Sequence, residues 1–115
     1  MKYAGKCMEG KKHKLKEQLR FLSEAMMHLE TFEEYESFLY DILTNQEIEM
    51  LSQRLQVAIL LSEGNTFKNI SDKTGVSSVT IARVKQSLLY GEDGYQMIIE
   101  RMKSKNLSKR NTNEL

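Results

Sequence analysis

A chain of 115 residues with a net charge of +1, no proline, six glycines and one cysteine has the length of one domain or one subunit. Cys7 can form no internal disulfide, and His13 and His28 lack the spacing of a metal site, so no metal is expected. No apolar run approaches the roughly 18 residues of a membrane span. The lysine-bearing N-terminus lacks the apolar segment of a signal peptide. A cytoplasmic protein with no membrane partner is expected, and the sparse cysteine suits a reducing compartment. Leu, Met, Glu, Lys and Gln favour helix, so the fold class is all-α.

The near-zero net charge hides an asymmetry. Residues 1–20 carry seven Lys/Arg against two acids, and residues 21–53 carry eight Asp/Glu with no Lys or Arg. Residues 66–91 are basic again through Lys68, Lys73, Arg83 and Lys85, against Asp72 alone. Two explanations stay open: solvated helix faces, or a basic surface for an anionic partner on an acidic scaffold.

In chain order, residues 1–13 are expected as a flexible basic arm, residues 14–107 as a single helical domain and residues 108–115 as a disordered tail. Leu15, Leu19, Leu22, Met26 and Leu29 recur every three or four residues, a stripe along one helix that fits packing on the chain's own core or, favoured in so short a chain, a seam with a second subunit. Thr31 and Glu34 have capping-box spacing, with the threonine accepting from the third amide and the glutamate reaching back to the cap's own amide. They open a helix with Phe32, Tyr35, Phe38, Leu39 and Ile42 on one face. Thr44 and Glu47 repeat the spacing and open a longer helix, apolar on most of its circumference from Leu55 onward and therefore the central one. Arg54 lies within it, where an arginine with its stem on apolar surface and its head in water is the ordinary explanation. Gly64 ends this helix.

Residues 66–90 carry the functional signal. Thr66 caps a short helix, Gly75 marks a tight turn that calls for positive φ, and Ser77 caps a second helix running to about Tyr90. Ile70, Val76, Ile81 and Val84 form an internal core, and Ser71 permits close approach. Ser78, Val79, Ala82, Arg83 and Gln86 fall on the opposite side. This is the pattern of a helix-turn-helix. A second helix that opens with small side chains can enter the major groove of double-stranded DNA, with Arg83 and Gln86 long enough for base edges or phosphates. Ser77, the first of these small side chains, is a DNA-binding candidate with them, and the helix amides, Lys68 and Lys85 are candidates for the phosphate backbone. There is no nucleophile–base pair, phosphate-binding glycine loop or metal cluster, so an enzyme is not expected.

With these residues in view, the stretches "LTNQEIEMLSQRLQVAILLSEGNT" and "TGVSSVTIARVKQSL", spanning about Leu43 to Leu89, resemble the Trp repressor family, and within it the TrpR-related YerC/YecD-type proteins. The resemblance covers about half of the chain. It implies six helices and an intertwined homodimer, with the first three helices and the last in the dimer core. In that family the recognition helix reads an operator and L-tryptophan is the corepressor. Residue by residue, Arg54 and Arg83 match the arginines that sandwich the indole, and Thr44 and Ser87 match positions near the amino acid's polar end. Ser78, Val79 and Ala82 match base-facing positions, and Lys68 a phosphate-facing one.

One position departs from the family. Val84 stands where the repressor has the glycine that leaves room beside the indole. Overfilling a packed site costs about 1–3 kcal/mol, enough to remove much of the affinity for a small ligand. The loop after Gly64 also looks one residue shorter. The expectation is therefore a sequence-specific, dimeric DNA-binding transcription regulator that needs no cofactor, with Arg54 free to pair with Glu47 or Glu49. The alternatives are a helical protein-interaction module and a tryptophan-responsive repressor that keeps the pocket of Thr44, Arg54, Arg83 and Ser87.

Overall fold

The computed structural model describes residues 11–108. They form six α-helices: α1 (Lys11–Met26), α2 (Phe32–Ile42), α3 (Asn45–Ser62), α4 (Phe67–Thr74), α5 (Ser78–Tyr90) and α6 (Gly94–Ser108). There is no strand among the described residues. Where one domain was expected over residues 14–107, the chain divides into two compact units, Met1–Asn45 and Gln46–Leu115. The expected arm lies outside the described residues up to residue 10, but its last three residues, Lys11 to His13, are helical. A His13–Glu17 pair at 3.5 Å, one turn apart, ties this first turn down. At the other end Ser108 belongs to α6 rather than to the expected tail, whose remainder lies outside the described residues.

In the first unit, α1 and α2 bury no residue. The α1 stripe is a face without a core of its own: Leu15 is 64% exposed and Leu19 60%. The helix ends at Met26, before the last member of the stripe, because its final turn tightens. His28 and Leu29 donate to the carbonyls three residues back at 3.1 Å. Thr31 caps α2 as expected, its hydroxyl oxygen accepting from Glu34 N. The reciprocal bond is displaced by one residue: Glu34 Oε1 accepts from Glu30 N at 2.7 Å, not from the amide of Thr31.

The second unit holds the core. Val57 and Ala58 of α3, Ile70 of α4, Val76 of the turn, Ile81 and Val84 of α5 and Ile99 of α6 are buried together. Ile59, Leu60, Leu61, Phe67 and Tyr95 pack around them. The spacing of Ile70, Val76, Ile81 and Val84 therefore does select the inner face, while α3 is less enclosed than its apolar circumference suggests. The helix ends follow local chemistry. Gly64, at φ 89°, closes α3. Gly64 N donates to Leu61 O, and Asn65 donates to Leu60 O through both its amide and its side chain, so the last carbonyls are satisfied. Thr66 caps α4 by accepting from Asn69 N at 3.1 Å.

Gly75 has φ 76° and donates to Ser71 O at 2.8 Å. A Cβ at this position would meet nothing within 4 Å. Gly75→Ala is thus expected to lose about 1–2 kcal/mol through left-handed strain alone, read as a urea-midpoint shift with unchanged slope. A loss below 0.5 kcal/mol would show that the turn adopts another conformation.

Candidate nucleic-acid interface

The surface in question is the pair α4 and α5 with the turn between them. Three devices hold the pair. The first is the apolar core above. The second is Thr74, whose Oγ1 donates to Ile70 O at 2.7 Å and accepts from Val76 N at 3.1 Å. One hydroxyl thus ties the end of α4 to the first residue after Gly75. Sequence reasoning passed over Thr74, although a threonine directly before a turn glycine is a signal of this kind. The third is Lys85, whose Nζ stands 5.6 Å from the centre of the Phe67 ring. This cation–π contact joins the two helices.

The opposite side is open. Ser77, Ser78, Val79, Ala82, Arg83, Lys85 and Gln86 are all exposed, and so is Lys68 on α4. Their circumstances differ. Ser77 Oγ is occupied as the cap of α5, with Thr80 N and Thr80 Oγ1 each at 3.3 Å. Lys68 Nζ pairs with Asp72 Oδ2 at 3.4 Å across one helical turn. Such exposed pairs contribute about 0.3–0.5 kcal/mol, so a stronger anion can displace Asp72. Lys85 is drawn towards Phe67 rather than outward. Arg83 forms no ion pair with another described residue, and Lys73, also exposed, is in the same position. Among the described residues the face thus presents Arg83 and Lys73 without an ion pair, Lys68 loosely held by Asp72, and a turn of small side chains.

Thr44, Arg54, Arg83 and Ser87 are the residues carried over as a corepressor pocket. Arg54 is exposed, and its Nη2 reaches Met50 Sδ at 3.9 Å, one turn back, where an acid had been expected as its partner. Ser87 lines an open depression of about 460 Å³ together with Leu55, Glu92, Tyr95 and Ile98. Neither Arg54 nor Arg83 lines it. Thr44 lies in the first unit, directly before α3. Val84 is 3% exposed and belongs to the core. Among the described residues there is no metal-binding group of His, Cys, Asp and Glu, and no helix is long and apolar enough to cross a membrane.

Fold and site together define a small all-helical protein whose α4–α5 pair turns an apolar side to the core and a polar, cation-bearing side outward. Comparison with known proteins narrows this. The family described as Trp repressor protein matches residues 17–103, and the chain belongs to that family. It is 45% identical over 82 residues to the uncharacterized protein YerC of Bacillus subtilis (strain 168), covering 71% of this chain and 79% of YerC. Two solved structures are similar. A candidate Trp repressor from Staphylococcus aureus shares 45% identity at a TM-score of 0.70, over 75% of this chain and 86% of that one. A TrpR-like protein from Eubacterium eligens ATCC 27750 shares 42% identity, also at 0.70, over 75% and 89%.

Proposed function

We propose that this protein is a homodimeric, sequence-specific DNA-binding transcription regulator that works without tryptophan. In this reading α4, Gly75 and α5 are a helix-turn-helix and α5 is the recognition helix. One observation carries it: the division of α5 into a buried side of Ile81 and Val84 and an exposed side of Ser78, Val79, Ala82, Arg83 and Gln86. A helix held rigidly by one face, with small side chains at its start and long polar ones a turn later, fits a major groove. Membership of the Trp repressor family supports the same reading.

The dimer rests on the first unit. A stripe of Leu15, Leu19 and Leu22 that stays exposed among the described residues is the kind of surface that a second copy covers. Independence from tryptophan rests on Val84. Its side chain fills the place of the family's glycine and is engaged with Ile81 and Ile70 in the core, so an indole would have to displace packed atoms.

Selection of bound sequences from random duplex DNA, with and without L-tryptophan, tests all three parts. The expected result is one two-fold symmetric motif under both conditions, with half-sites about one helical turn, ~34 Å, apart. A motif that emerges only with tryptophan would refute the role given to Val84. No motif at all would favour a protein-interaction module.

A further inference from the structure

We propose that Val79, supported by Ala82, reads the C5-methyl group of a thymine in each half-site. This deepens, and rests on, the reading of α5 as the DNA-contacting helix.

Val79 is 63% exposed. It is a stiff, branched apolar side chain in the first turn of α5, on the side away from Ile81 and Val84. Ala82 is also exposed and lies three residues on, so the two side chains share one face. Single exposed apolar residues are ordinary on protein surfaces; what distinguishes this one is its surroundings. Lys73 and Arg83 are exposed on the same helix pair with no ion pair to another described residue, and Lys68 is held by a weak surface pair with Asp72. An apolar spot among cations suits a polyanion that also carries apolar groups. In the major groove one base meets that description at its edge, because thymine presents a methyl group beside its O4 acceptor. Valine has no donor or acceptor with which to read any other base. The neighbouring hydroxyl of Ser77 is committed to the cap of α5, so it does not supply a polar contact in place of Val79.

The test uses the duplex recovered by selection from random DNA. Each thymine is replaced in turn by deoxyuridine, which removes the methyl group and nothing else. Affinities of the wild type and of Val79→Ala are compared by fluorescence anisotropy at one salt concentration. At one thymine per half-site the wild type is expected to weaken about fourfold, the effect of returning one methyl-sized group to water, and about fifteenfold when both half-sites are changed. Val79→Ala, which keeps its helical circular dichroism because the side chain is exposed, should bind the thymine and uracil duplexes equally. The proposal is overturned if no deoxyuridine substitution weakens the wild type, if Val79→Ala retains the discrimination, or if the selected half-sites contain no thymine. Failure to recover any bound duplex overturns the DNA reading along with it, an outcome separate from these three.

Discussion

Ile81→Ala is expected to destabilise the protein by about 2–5 kcal/mol. Ile81 is fully buried among Ile70, Val76, Val84, Val57, Ala58 and Ile99. The substitution removes apolar surface from the core and leaves a cavity. Apart from Ala58, the residues buried with it are β-branched, on four helices and a turn, and such side chains have little freedom to collapse into the space. Total stability for a domain of this size is about 5–15 kcal/mol, so the loss is a large fraction of the whole. Urea unfolding followed by circular dichroism checks it, with protomer concentration held constant because association adds to apparent stability. Val79→Ala, two residues away on the exposed side, should stay within about 0.5 kcal/mol of wild type. Equal losses from the two variants would mean that the division of α5 into inner and outer faces is wrong.

The second large effect concerns binding. Arg83→Ala should weaken the selected duplex by about 1–3 kcal/mol for each half-site contact, and the loss should vary with the base pair opposite it. Arg83 is the residue for this because it is exposed, long and free of ion pairs with other described residues. Lys68→Ala should behave differently. Its pair with Asp72 at 3.4 Å is too weak to withhold it from a phosphate, so its loss should be nearly uniform across sequences and should lower the salt slope by about one per protomer, about two for the dimer. Anisotropy titrations from 50 to 200 mM salt on selected and scrambled duplexes separate the two behaviours. With six to ten phosphate contacts across a dimer, wild-type affinity should fall by about 10³–10⁵ over that range. Flat salt dependence would remove DNA as the partner.

Much of this protein was legible before its structure because the relevant physics is local. Capping by Thr31, Thr66 and Ser77, the left-handed Gly64 and Gly75, and the faces of α4 and α5 all follow from hydrogen bonds and periodicities within a few residues. The errors were local too: Glu34 bonding Glu30 instead of Thr31, and α1 starting at Lys11 and stopping at Met26. Capping-box spacing admits either amide within reach of a flexible carboxylate, and helix ends depend on small differences in the last turn.

What the sequence determined by itself was an all-helical chain of the Trp repressor family with the inner and outer sides of its α4–α5 pair assigned. What only the tertiary structure decided was which neighbours those sides meet. Lys85 finds the ring of Phe67 on another helix, Arg54 finds Met50, and Ser87 lines a depression with Tyr95 and Ile98 of α6 apart from both arginines. Leu15, Leu19 and Leu22 of the α1 stripe stay exposed among the described residues. Helical periodicity specifies the direction in which a side chain leaves its helix, but the partner waiting there is set by how helices pack, and that depends on residues far apart in the chain.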